Sequence, residues 1–507
     1  TTYQADILFP RADLDSPSPL TIRIASGLDG LAIDLPEPFT KGQDDAFLIA
    51  GDIRFMQGGE RIESSGSTSR DTDWQLAFTS TDDSWDFDRG VLALGGAAIT
   101  EPETRGLHIR GAIGDVRFED WLNLSRRSER QSGAAERIRS IDLTVTNLRL
   151  LGQHLENQHV RVDRSALDWL VQFDGDDVVG SAFVPYDFTA GRAIVLEMDR
   201  LVLPGDDDAT DEPGAQIDPR SLPPLSLSAA EFAIGERYFG AVEAVFERTD
   251  EGLVSDSIIA TDETFEIVGT GRWVADENDP IGHRSYFMAT LNSTDVARTM
   301  QRLNYDPGIG GDEMTMLLDL SWSGGPREDF LDSLNGEVQV RLGPGQLDEV
   351  EPGAGRVFGL MSIVALPRRL SLDFKDVFGK GFGFDKIEGS FRIVDGEAYT
   401  CNLSLEGPAA EIGIIGRASL VDRDYEQSAI VNANFGNTLP IIGAVAAGPQ
   451  VAAALLIFSQ IFKKPLREVS QVYYGISGSW DGPTIETSNA DGFAATGEMA
   501  GCIADAE

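Results

Sequence analysis

Apolar and polar residues alternate with a period of two along most of this 507-residue chain. Residues 20–25, 74–79, 141–146, 193–198, 336–341 and 390–394 carry an apolar side chain at every second position, the pattern of a strand with one face turned from water. Short polar breaks at 174–177, 250–252, 394–396 and 480–482 hold Asp and Gly, the residues that tight hairpin turns need where φ is positive. At about fourteen residues per strand and turn the chain holds on the order of thirty to thirty-five strands, more than one open twisted sheet usually carries. The expected fold is therefore mainly β, as a barrel, a set of sandwiches, or an elongated sheet that curls on itself.

Three strand ends, at Trp273, Trp322 and Trp480, each place a Trp shortly before a loop containing Pro, although at irregular intervals. Helices are few. Residues 293–303 start with an N-cap choice and continue with apolar residues at helical spacing, and 355–366 form a second candidate stopped by Pro367. From 427 to 462 there is no charged residue, but Gly448 and Pro449 interrupt the run. Each half is too short to cross a hydrocarbon core, so the pattern predicts an apolar helical hairpin over 439–464. Lys463 and Lys464 close it, a basic spot suited to a headgroup boundary.

Charge narrows the function classes. With 83 acidic and 41 basic residues the net charge is -42, which repels phosphate backbones and excludes nucleic acid as a partner. Cys401 and Cys502 have no metal-ligand spacing, and two unpaired thiols are favoured over a disulfide. His154 and His159, five apart on a strand, point to opposite faces and make no zinc site. The acidic run at 206–208 reads as a solvated loop. Nucleophile elbow, Walker loop and His-Glu-x-x-His helix are all missing from the sequence, so no enzyme, cofactor or metal is expected.

The C-terminal third carries a recognisable run, Gly355-Arg-Val-Phe-Gly-Leu-Met-Ser-Ile-Val-Ala-Leu-Pro-Arg-Arg-Leu-Ser-Leu-Asp-Phe, continuing to Phe391. It resembles the central signature of the YhdP family of Gram-negative bacteria, part of the AsmA-like group. Residues 412–420, 439–449 and 474–486 resemble the rest of that family's C-terminal region, and 20–41 and 219–225 resemble its repeats and mid-chain linker. The resemblance implies an elongated curled antiparallel sheet, a repeating β-groove, in the periplasmic part of an inner-membrane-anchored protein whose anchor is absent from this chain. It also implies passive movement of phospholipid from inner to outer membrane.

On that basis the chain divides into a groove segment at 1–204, an acidic Pro-rich linker at 205–224, a second groove segment at 225–342, an AsmA-like segment at 343–491 and a disordered tail at 492–507. Leu360, Ile363, Leu366, Phe374 and Phe384 are expected to bind acyl chains. Ile441, Ile442, Val445, Leu455, Leu456, Phe458, Ile461, Phe462, Lys463 and Lys464 are expected to touch the inner leaflet of the outer membrane or an outer-membrane partner protein. The aromatic spacing at Phe374, Phe378, Phe382 and Phe384 fits a plain core equally well. The competing reading is a structural envelope scaffold or adhesive β protein with a dry core. A conduit should carry its apolar face unbroken from strand to strand, whereas sandwiches should break it about every hundred residues.

Overall fold

The computed structural model describes residues 2–9, 19–56, 60–81, 84–117, 120–121, 137–150, 153–186, 191–205, 218–305, 308–326, 330–347, 382–433, 471–480 and 482–488. Twenty-eight strands lie among them. The chain divides into two units, Thr1–Ala215 and Gln216–Glu507, and the divide falls inside the acidic Pro-rich stretch.

The first unit is a ladder of twelve strands, β1 (Tyr3–Leu8), β2 (Leu20–Ser26), β3 (Ile49–Phe55), β4 (Arg61–Thr68), β5 (Thr72–Ser80) and β6 (Trp85–Leu94), followed by β7 (Gly106–Arg117), β8 (Ile138–Leu150), β9 (Gln153–Arg164), β10 (Asp168–Asp174), β11 (Val178–Pro185) and β12 (Ile194–Leu203). Each pairs with the next in sequence. The wholly antiparallel expectation needs one correction, because β6 with β7 and β7 with β8 are parallel. A parallel pair needs a connection that returns to the starting end. Residues 95–105 provide the first, turned by Gly95 and Gly96 at φ 61° and 75°, a left-handed region that glycine enters freely. Buried Asp88 holds that connection: Arg105 Nε donates to it at 2.8 Å and Arg89 Nε at 2.9 Å. Arg89 Nη1 also donates to the carbonyls of Pro102 and Glu103.

The second unit continues the same plan with β13 (Leu225–Ile234), β14 (Arg237–Arg248), β15 (Gly252–Thr261), β16 (Phe265–Ala275), β17 (His283–Ser293), β18 (Ile309–Gly311), β19 (Met314–Ser323), β20 (Asn335–Leu342) and β21 (Gly345–Leu347). After them come β22 (Phe382–Phe384), β23 (Lys386–Val394), β24 (Glu397–Glu406), β25 (Ala410–Ser419), β26 (Asp424–Ala433), β27 (Gln471–Ser479) and β28 (Thr484–Ser488). Thirteen of these form an antiparallel meander, while β18, β21 and β22 make a separate three-stranded sheet. The β23–β24 hairpin turns on Asp395 and Gly396 at φ 48° and 77°, the two positive values a type I′ turn requires.

Helix α1 (Val296–Arg302) forms where helical spacing predicted it, with Asp295 as N-cap accepting the Arg298 amide at 3.0 Å. Val296 and Met300 on α1 enter a hydrophobic core that runs from Phe265 to Ile476. The second helix candidate and the 439–464 hairpin lie outside the described residues. The three Trp signals have distinct local partners: Trp273 Nε1 donates to His283 Nδ1, Trp322 Nε1 to the Gly325 carbonyl, and Trp480 Nε1 to the Asp424 carbonyl. The free-thiol expectation is also corrected, since Cys401 on β24 is disulfide-bonded. Spacing along a chain does not report which strand ends fold close together.

Candidate functional site

Residues directly opposite one another on paired strands project to the same face. Following the pairings across the first unit, Ala5 faces Ile24, then Gly51, Gly66, Trp74 and Leu92. The row goes on through Ile109, Ile141, Val162, Val171, Ala182 and Leu196. All twelve strands are crossed without one polar side chain. The parallel steps at β7 leave the row intact, because they keep the chain direction that a hairpin would reverse and do not alter the face presented.

This row is open. Ala182 is buried, and the other eleven residues are half-buried or exposed, which is not the burial of a sandwich interior. Eleven strand-to-strand steps at about 4.8 Å give roughly 50 Å of continuous apolar surface. Gly51 and Gly66 supply no side chains, but the Trp74 indole lies across both: a Cβ on Gly51 would stand 2.8 Å from Cζ2 of that ring, and one on Gly66 would collide with it. Trp74 Nε1 donates to Ser64 Oγ at 3.2 Å, which pins the ring in that position.

The opposite face of the same strands is mixed: Arg23, Asp52, Ser65 and Gln75 are successive partners that lead to buried Val91, and Leu170, Phe183 and Val195 are partners further along. Arg23 Nε donates to Asp52 Oδ1 at 2.9 Å across β2 and β3, and that hydrogen bond holds the Asp52 carboxyl below its usual range despite some desolvation. Burial alone would raise the Asp88 carboxyl, but the hydrogen bonds from Arg89 and Arg105 outweigh it and leave the group lowered.

The second unit repeats the apolar row and then closes it. Ala229, Val242, Ala260, Ile267, Leu291, Met316, Val340 and Gly389 are successive partners. One row along, Leu342 leads through Ile387, Leu405 and Ile412 to Val431, each with no solvent exposure. Here the apolar face is a dry core. Phe384, expected to meet acyl chains, is 3% exposed with its ring over Gly345, and Phe382 is 1% exposed. Leu360, Ile363, Leu366 and Phe374 lie outside the described residues, as do Ile441, Ile442, Val445, Leu455, Leu456, Phe458, Ile461, Phe462, Lys463 and Lys464. The sequence reading placed the acyl-chain surface at 360–384, whereas the open row among the described residues lies in the first unit. Its own strand examples at 74–79 and 141–146 already contained Trp74 and Ile141 of the open row.

A cleft of about 570 Å³ on the second unit is lined by Tyr286, Glu337, Ser390, Arg392 and Tyr399 among others. Among the described residues no His, Cys, Asp and Glu side chains gather as a metal site, and no helix is long and apolar enough to cross a membrane.

The model of the YhdP protein family matches residues 1–485. The intermembrane phospholipid transporter YhdP of Escherichia coli (strain K12) is 24% identical over 477 residues, covering 92% of this chain and 37% of that protein. The chain thus spans little more than a third of that relative's length. No solved structure matches. A family match over residues 1–485, running through both units, places this chain in the YhdP protein family.

Proposed function

We propose that this chain is a segment of a passive phospholipid conduit between the inner and outer membranes, and that the open row of the first unit is its acyl-chain surface. The relative named as an intermembrane phospholipid transporter supports the substrate class. The observation that carries the reading is the twelve-strand row without a polar break, left open to solvent along eleven of its residues.

The physical need is large. At about 0.8 kcal/mol per methylene, some thirty methylenes of a phospholipid cost roughly 24 kcal/mol to bring into water. A continuous apolar strip lowers that cost at every step while the headgroup stays wet. On the opposite face the Arg23–Asp52 pair presents charge to water across β2 and β3. The disulfide at Cys401 fits an oxidising compartment such as the periplasm. The segment containing Ile441 to Lys464 is assigned, on its sequence, to contact with the outer membrane. The work asked of the protein is binding and guidance, which needs no catalytic residue.

The scaffold reading keeps one observation in its favour, the dry core beneath β20 and β23–β26. Native mass spectrometry and lipid extraction of the chain, purified without harsh detergent from a Gram-negative host, separate the two. Several phospholipids per chain are expected. A lipid-free particle would sink the conduit and leave the scaffold.

A further inference from the structure

The sheet formed by β24, β25 and β26 is buried on both faces. Ile412, Ile414, Ala429 and Val431 enter the hydrophobic core, so their neighbours Gly413, Ile415, Ser428 and Ile430 point the other way. On a sheet with one open face that second side would meet water. Instead Ile415 is 2% and Ile430 1% exposed, and Ser404 and Ser428 are buried with them. Among the described elements, β25 and β26 pack extensively only against their ladder neighbours.

Cys401 lies on the same outward side. With Ser390 and Tyr399 it lines the cleft of the second unit, and Tyr399 is the partner of Arg417, which shares its face of β25 with Ile415 and Gly413. Cys401 is disulfide-bonded, and the sequence holds one other cysteine, Cys502. The path towards Cys401 from the last strand crosses the covered patch. Ser488, which ends β28, is opposite Tyr473, and that row leads on through Ile430 and Gly413 to Ser404. Four steps between strands and three residues along β24 put Cys401 roughly 22 Å from Ser488. Cys502 follows Ser488 by fourteen residues, an extended reach of up to about 48 Å. The surplus lets the segment lie over the sheet. Phe493 comes early in it, and Ala and Gly make up most of 494–501, side chains small enough for close approach to a strand.

We propose that residues 489–502 form a strap across the outward face of β27, β26 and β25, seated on Ile430 and Ile415 through Phe493 and fastened by a Cys401–Cys502 disulfide. The partner this surface fits is thus the chain's own C-terminal segment. Closing the bond takes two electrons and two protons from the two thiols and passes them to an external disulfide, which leaves as two thiols. The strap is therefore fastened in an oxidising compartment and released in a reducing one.

Peptide mapping of the unreduced 507-residue monomer tests the fastening, and a cross-linked peptide joining Cys401 to Cys502 is expected. Two free thiols, or a bond to a second copy that gives a reducible dimer, overturns it. Hydroxyl-radical footprinting tests the seat. Ile415 and Ile430 should be protected in the intact chain and lose that protection in a chain ending at Ser488, with circular dichroism melts establishing that the shortened chain folds. Phe493→Asp in the full-length chain, with both cysteines kept, gives the same reading should the shortened chain fail to fold, and the same loss is expected. Protection that survives these changes in folded protein assigns the cover to another segment, such as 434–470, and overturns the strap.

Discussion

A single carboxylate in the open row should block what a carboxylate on the other face leaves alone. Val171 sits at the middle of β10, half-buried, with Val162 and Ala182 as its partners. Gln172, its neighbour, is exposed on the other face, opposite Arg161 and Ser181. Val171→Asp puts a charge where an acyl chain would otherwise lie. Placing a carboxylate in hydrocarbon costs about 2.5–3.5 kcal/mol on insertion scales, and the half-open site recovers part of that through water, leaving about 2–3 kcal/mol. Because 1.4 kcal/mol is tenfold, occupancy of the row at β10 should fall by roughly 30- to 150-fold. Gln172→Asp should change it by less than about twofold, since exposed substitutions of this kind act weakly. Fluorescent phospholipid titration of the two purified variants reads the difference, with circular dichroism melts confirming that both fold. Equal affinities for Val171→Asp and Gln172→Asp refute the claim that the row is the binding surface.

Three further outcomes follow from the geometry. Gly66→Ala drives a methyl into the Trp74 ring and the Ala50 carbonyl; overpacking of that kind costs about 1–3 kcal/mol, seen as a lowered melting temperature together with a changed Trp fluorescence. Asp295→Ala removes the α1 cap and should cost about 1 kcal/mol in denaturant unfolding, with lipid retention by the first unit unchanged. The Asp88 carboxyl is lowered in the folded chain, so its contribution is fully present above the unfolded value near 3.8 and is lost as pH falls through the folded one. The melting-temperature gap between wild type and Arg105→Ala should therefore be widest near neutrality and narrow below about pH 4; a gap that widens on acidification contradicts the pairing.

Local features were readable from local sequence. Alternation over residues 74–79 and 390–394 became β5 and β23, Asp395 and Gly396 marked a hairpin turn, and the run after Ser293 became α1 because Asp295 can cap it. What stayed hidden depends on pairing between distant residues. Nothing in the period-two pattern of β7 distinguishes a parallel from an antiparallel neighbour, since both keep the same alternation. Phe384 alternates as a lining residue would, and only its placement over Gly345 reveals a core position.

The indole of Trp74 spread over Gly51 and Gly66 bears on how a guest would travel. Two missing side chains in adjacent strands would leave a dip, and a molecule sliding across would settle in it. One ring covering both sites levels the floor between β3 and β5. Motion over such a level track is a one-dimensional random walk, slowed by corrugation and biased by nothing within it. Net flow would then be set by unequal loading at the two ends of the walk, and a Trp74→Ala chain would turn the same track into one with a resting place between β3 and β5.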